Sequence, residues 1–189
     1  MINTRIGNKS DIQGVLQLQE KNLYANLTTA ERQRGFVTTP FTKNQIEDII
    51  EQNGLFVAQH DQNIVAYTFA GSWQYFNQWE IFNHMISCFP HLRFMGKNIT
   101  TENSFQYGPV CIDSDYRGKG LLPSIFETMR VVFQKHYPIS ITFINKINTV
   151  SEKAHTQKLG WTVIDTFTFN NNQYCTLAFD MNNSVLKSC

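Results

Sequence analysis

The chain has 189 residues, of which 42% are hydrophobic and 16% charged. That is a globular composition, long enough for one substantial core and short for two full-sized domains. Its 16 Lys and Arg against 15 Asp and Glu leave a net charge of +1, which argues against a nucleic-acid backbone or an anionic membrane as partner. No apolar run reaches the roughly 18 residues of a transmembrane helix. The opening MINTRIGNKSD has no apolar stretch of the signal-peptide kind, so a cytoplasmic protein is expected. The cysteines Cys88, Cys111, Cys175 and Cys189 show no C-x-x-C spacing and no neighbouring histidines. A zinc site is not expected, and Cys111 and Cys175, inside apolar runs, read as buried free thiols.

In chain order, Ser10-Asp11-Ile12-Gln13 reads as a capping box opening a helix with Ile12, Val15, Leu16 and Leu23 on one face. Thr42-Lys43-Asn44-Gln45 reads as a second box before Ile46, Ile49 and Ile50, with Gly54 as the left-handed stop. Residues 55–59 and 64–71 flank His60-Asp61-Gln62-Asn63 as a hairpin. Residues 73–104 form a helical, aromatic-rich insert that Pro90 interrupts near Phe89, with a polar, loop-like stretch over 97–103. Its residues Trp73, Tyr75, Phe76, Trp79, Phe82 and Phe89 suit an acceptor pocket, an ordinary core or a dimer face. A strand is expected over 104–113, a loop and helix over 118–136, and a nearly all-apolar strand over 139–144. A further helix over 149–159 carries a Thr149/Glu152 box and a Gly160 cap. Strands over 161–169 and 173–180 join through Asn170-Asn171-Asn172, where Asn tolerates positive φ. The order β-α-α-β-β-insert-β-α-β-α-β-β predicts one mixed α/β domain over residues 1–189.

The chemically informative stretch is Val110-Cys111-Ile112-Asp113-Ser114-Asp115-Tyr116-Arg117-Gly118-Lys119-Gly120-Leu121. A strand ends, two glycines open a loop, and a helix begins. Glycine lets backbone N–H groups approach a ligand, and a helix N-terminus adds unpaired donors and a positive dipole end. With Arg117 and Lys119 this suits a pyrophosphate. The segment is neither a Walker loop nor a dinucleotide G-x-G-x-x-G, since Pro123 stands at the third glycine.

This segment resembles the acetyl-CoA loop, Q/R-x-x-G-x-G/A, of the GNAT superfamily of N-acetyltransferases, met by Arg117 and Gly120. Leu122 departs from the Gly or Ala of that pattern, and Pro123 after it suggests a helix that starts later than usual. Asn148-Thr149-Val150-Ser151 through Lys158-Leu159-Gly160-Trp161 resembles the family's N-x-x-S/A…K-L-G-F segment. Thr4-Arg5 followed by Asp11 resembles its first strand and helix entry. The resemblance covers most of residues 1–72 and 104–181 and implies a GNAT-like central mixed sheet flanked by helices. It also implies acetyl-CoA as co-substrate, a primary amine on a small molecule or peptide as acceptor, and a chemistry that needs no metal. Val110 and Ile112 would serve the pantetheine arm of the co-substrate from the strand, Arg117, Gly118, Lys119, Gly120, Leu121 and Leu122 would serve it from the loop, and Asn148 and Ser151 from the later helix. His155, or Thr156 if the register is counted back from Gly160, would face the thioester as proton donor, with Tyr107 nearby. No carboxylate lies between Phe105 and Cys111, so a base would act through water, Glu80 and Glu102 being weak candidates. Phe36 would border the acceptor pocket or staple the core. A CoA-binding module with little transferase activity and a transferase using a longer acyl-CoA are the alternative readings. A monomer or homodimer is expected.

Overall fold

The computed structural model describes residues 1–186; Cys189 lies outside them. The strands are β1 (Ile2–Ile6), β2 (Leu55–His60), β3 (Asn63–Gly71), β4 (Arg93–Phe94), β5 (Lys97–Asn98), β6 (Ser104–Ile112), β7 (Ile139–Asn145), β8 (Thr162–Phe169) and β9 (Asn172–Asp180). The helices are α1 (Ile12–Asn22), α2 (Thr29–Arg32), α3 (Lys43–Glu51), α4 (Trp73–Phe76), α5 (Glu80–Cys88), α6 (Leu121–Phe133) and α7 (Thr149–Lys153). A seven-stranded mixed sheet has the order β1-β2-β3-β6-β7-β9-β8, and β4-β5 pair separately. The mixed α/β architecture is the one expected. The described residues cluster into two compact units, 1–70 with 108–132 and 185–186, and 71–107 with 133–184.

In the first unit, β1, β2 and β3 run antiparallel, and the hairpin turns at Asp61, whose φ is +55°. Val15 and Leu18 of α1, Ile46 and Ile49 of α3, and Leu55, Val57 and Phe69 of the strands are almost fully buried. The Thr42/Gln45 box is present. The other expected box is shifted: Asn8 accepts from the Ser10 N–H, and Asp11 accepts from the Asn8 N–H. Asp11 is held there by the Arg5 fork, at 2.7 and 2.8 Å, and Arg5 also donates to Gln59 Oε1. Burial pushes the Asp11 carboxyl up, but the Arg5 and Asn8 hydrogen bonds outweigh it and leave the group below its usual range. Gly54 is not the left-handed stop of α3; Asn53 takes that conformation at φ +54°. Gly54 is needed for close approach, because a Cβ there would overlap the Ala70 carbonyl oxygen and press on Ile49.

In the second unit, β7 pairs parallel with β6 and antiparallel with β9, which pairs with β8. The β8–β9 turn puts Asn170 and Asn171 at φ +47° and +60°, as expected. The aromatic insert is core: Trp73 Nε1 donates to Ser104 Oγ at 3.0 Å, and Phe82 lies 5.4 Å from the Phe143 ring and 4.8 Å from Phe76. Lys97 and Asn98, expected as loop, pair with Phe94 and Arg93 across Met95 and Gly96, both at positive φ. The helix expected over 149–159 has Asn148, not Thr149, as its N-cap, and it changes after Lys153 into a π-helical turn, Ala154–Leu159, ended by Gly160 at φ +78°. A π turn holds one residue more than an α turn. That is the physical origin of the one-residue ambiguity between His155 and Thr156.

Gly54→Ala is expected to destabilise the protein by about 3 kcal/mol, because the clash is with backbone that cannot swing aside. Urea unfolding checks this; a change under about 0.5 kcal/mol would mean that the two segments can part without penalty.

Candidate functional site: a phosphate-type loop and a buried histidine

The first unit carries the loop. Strand β6 ends at Ile112, and the Asp113 N–H donates to the Val65 carbonyl, anchoring the exit to β3. Asp113 caps the 3-10 turn Ser114–Tyr116 by accepting from the Asp115 N–H. Gly118 and Gly120 then take left-handed φ of +76° and +77°, with open space where a Cβ would stand. Helix α6 starts at Leu121, so Pro123 does not delay it, as the sequence suggested, but sits in the first turn, where its missing N–H costs no helical bond. The N–H groups of the turn following Gly118 therefore lie at an exposed helix start. Lys119 is exposed, 5.5 Å from the Tyr116 ring centroid, and the Tyr116 hydroxyl is 2.7 Å from His60 Nδ1. Val110 and Ile112 are half-buried on the strand.

Arg117 does not point out beside Lys119. Its Nε donates to the Ile112 carbonyl at 2.9 Å, one terminal nitrogen to the Arg34 carbonyl at 2.6 Å, and the other to Asn22 Oδ1 at 2.8 Å. The loop is thus built around its arginine. Asn22 and Arg34 were missed by sequence reading, because nothing in a helix end or a polar loop announces which distant guanidinium it will accept. Phe36 stacks edge-on to Tyr24, at 4.9 Å, inside the same segment.

The second unit carries Tyr107, Asn148, Ser151, His155 and Thr156. Asn148 is buried, and its side chain accepts from the Ser151 N–H at 3.3 Å. The π turn leaves His155 buried, 3% exposed, with its ring 5.7 Å from Tyr107 and 5.8 Å from Trp161. Trp161 is a further member that only its place after Gly160 could have suggested. Thr156 is half-buried and spends its hydroxyl on the Glu152 carbonyl at 2.8 Å. Glu80 and Glu102 are exposed.

His155 Nδ1 lies 2.8 Å from the Ser151 carbonyl, which can only accept, so Nδ1 carries the proton. Nε2 then presents a buried lone pair with no hydrogen-bond partner among the described residues. Burial pushes the imidazole down to about 4, the Ser151 bond only partly opposing it. At neutral pH the ring is an acceptor at Nε2 with no proton to give there, which is opposite in sign to the donor role expected from sequence. Burial likewise pushes the Cys111 thiol up to about 12, so it is no thiolate nucleophile. Among the described residues no group of three or more His, Cys, Asp or Glu side chains could hold a metal ion, and no helix is long and apolar enough to cross a membrane.

The histidine makes stability depend on pH. Above pH 6.5 the ring is neutral both folded and unfolded. As pH falls from 6.5 toward 4, the unfolded chain takes the proton first and is favoured. His155→Leu is expected to remove roughly 3 kcal/mol of this acid-side loss, because each tenfold difference in proton affinity between the two states is worth about 1.4 kcal/mol. Urea unfolding of both proteins between about pH 7.5 and 4 checks it; parallel stability curves would mean that the ring is not buried neutral.

No family model and no curated protein matches the chain. Solved structures do. An acetyltransferase of the GNAT family from Streptococcus agalactiae is 15% identical with a TM-score of 0.65, covering 95% of each chain. A Salmonella typhimurium protein solved with its cofactor acetyl-CoA is 12% identical, TM-score 0.63, over 100% of this chain and 98% of its own. The Drosophila melanogaster polyamine N-acetyltransferase that forms N-acetylagmatine is 13% identical, TM-score 0.64, over 95% and 100%. At such identities the likeness is one of fold, and it extends over nearly the full length of each partner: this chain has the fold of the GNAT N-acetyltransferases.

Proposed function

We propose that the protein transfers an acetyl group from acetyl-CoA to a primary amine of a small molecule or peptide. The observation that carries this is the loop over 113–120: two left-handed glycines with open space above them, at the exposed start of a 13-residue helix, directly after a strand. Backbone N–H groups so arranged suit a pyrophosphate, and one structural neighbour holds acetyl-CoA.

In this reading the N–H groups near Gly120, Leu121 and Leu122 bind phosphate oxygens, Lys119 adds charge at the rim, and Gly118 sets the turn. Val110 and Ile112 offer strand backbone groups to the pantetheine arm. Asn148 and Ser151 serve it from the start of α7. The neutral amine attacks the thioester carbonyl carbon, the C–S bond breaks, the amine loses a proton, and the thiolate gains one. A strand N–H polarises the carbonyl. His155 suits the accepting half of this proton traffic, since its free lone pair is at Nε2, and the Tyr107 hydroxyl suits the donating half better than an imidazole that resists protonation. The absence of a carboxylate on β6 between Phe105 and Cys111 favours, as a second reading, a CoA-binding module with little turnover. A transferase using a longer acyl-CoA is the remaining alternative; the aromatic insert that suggested it packs mostly as core in its own unit, with Trp79 half-buried.

Thiol release from acetyl-CoA across a panel of amines, polyamines, amino acids and peptide N-termini separates the two. Turnover supports the transferase; micromolar CoA binding without turnover supports the module. Gly120→Glu is expected to abolish CoA binding in calorimetry by steric block and charge repulsion while the protein stays folded; wild-type affinity would remove the pyrophosphate from this loop. Asn148→Ala mixes a lost cap, worth about 1 kcal/mol, with any lost ligand contact. Asn148→Asp keeps the capping oxygen and removes the amide donor. It is expected to weaken acetyl-CoA binding by about 1–3 kcal/mol; unchanged affinity would give the Asn148 amide no part in binding.

A further inference from the structure

Arg117 is a cation with three neutral partners. Its acceptors are the Ile112 carbonyl, the Arg34 carbonyl and Asn22 Oδ1, and no carboxylate lies within ion-pair distance of it among the described residues. Two of those acceptors bracket one segment. Asn22 ends α1, is 8% exposed, and is itself fixed by its amide donating to the Leu18 carbonyl at 2.9 Å. Residues 22–37 close on themselves: the Val37 N–H donates to the Asn22 carbonyl, and the Tyr24 N–H to the Val37 carbonyl, each at 2.9 Å. Arg32 lies over the Tyr24 ring, 3.9 Å from its centroid, and its Nε donates to the Tyr24 carbonyl. The third acceptor, Ile112, is the last residue of the strand that feeds the glycine loop.

We propose that Arg117 is a positioning residue that links the anion-binding shape of the 113–120 loop to the order of residues 22–37. The fork holds the loop in the conformation that aims its N–H groups outward, and it can do so only while Asn22 and the Arg34 carbonyl are in place. An anion that binds this loop shape therefore stabilises the segment, and a segment that is in place raises affinity for the anion, by the same factor. Lysine cannot substitute, since a single ammonium on a flexible stem lacks the planar fork that reaches three divergent oxygens. The proposal rests on the reading of the loop as a CoA pyrophosphate site.

The test uses CoA itself, with calorimetry and amide hydrogen exchange on the full chain. In the wild type, saturating CoA is expected to slow exchange within residues 22–37, and in Arg117→Lys, saturated with CoA, that slowing is expected to vanish. Asn22→Ala removes one acceptor without changing any residue of the loop; it is expected to weaken CoA binding at least about fivefold, while Asn22→Asp, which keeps an acceptor oxygen, stays within about twofold of wild type. A merely structural Asn22 would lower the melting temperature without changing CoA affinity. Unchanged exchange in a wild type that binds CoA, or wild-type affinity in Asn22→Ala, overturns the linkage alone. No heat of CoA binding to the wild type overturns the linkage and the functional reading together.

Discussion

A chain leaving a buried strand must find partners for its backbone polar groups, and in the first unit that requirement is met at one place. The Asp113 N–H goes to the Val65 carbonyl, the Asp113 carboxylate takes the Asp115 N–H, and Arg117 closes on the carbonyl of Ile112. With these bonds made, the next residues are free of structural duty. Gly118 and Gly120 can then turn with positive φ into open space, and α6 can start at Leu121 with first-turn N–H groups that have no partner within the helix. The proposed chemistry of the loop is a consequence of where its own hydrogen bonds are spent. An arginine used as scaffold leaves the charge of the site to backbone dipoles and to Lys119.

Much of this was legible as pattern. The alternation of helix and strand follows from periodicity, the loop from its glycines, and the Asn170-Asn171 turn from the tolerance of Asn for positive φ. What was not legible is which of several adequate residues takes a role. Ser10 is a good N-cap type, but Asn8 takes the cap because Arg5, six residues before Asp11, fixes that carboxylate where it can reach back to the Asn8 N–H. Thr149 likewise yields the cap to Asn148, whose side chain accepts from the Ser151 N–H. Gly54 looked like a helix stop because glycine usually is one, yet its reason is the Ala70 carbonyl, a contact 16 residues away in sequence that no local pattern encodes. The aromatic insert could be read as pocket or core; only the partners of Trp73 and Phe82 decide for core.

The π turn shows a deeper limit. From Asn148 forward, His155 occupies the position of interest; from Gly160 backward, Thr156 does. Both counts assume a uniform α-helix. The chain resolves the conflict by widening the helix over Ala154–Leu159, so that Asn148 keeps its cap, Gly160 keeps its stop, and the surplus residue is absorbed between them. His155 is consequently turned inward, against Tyr107 and Trp161, while Thr156 bonds its own backbone. A sequence shows that a residue is surplus; it does not show where the helix will swell.

That inward turn also decides what the imidazole can do. A histidine on a partly exposed helix would titrate near 6.5 and could give a proton to a thiolate at neutral pH. The same side chain, packed between two aromatic rings with its Nδ1 proton committed to Ser151, resists the charge that donation requires. Its remaining resource is the Nε2 lone pair, buried and without a partner among the described residues. Leaving an acceptor in that state carries a cost of roughly 1–3 kcal/mol unless a water or a substrate atom meets it. The fold could have removed that cost by facing a hydroxyl toward it, as it does for the Thr4 oxygen, which Thr128 meets at 2.9 Å. Under the proposed function, that lone pair is the atom of His155 suited to accept a hydrogen bond from the incoming amine or from a water.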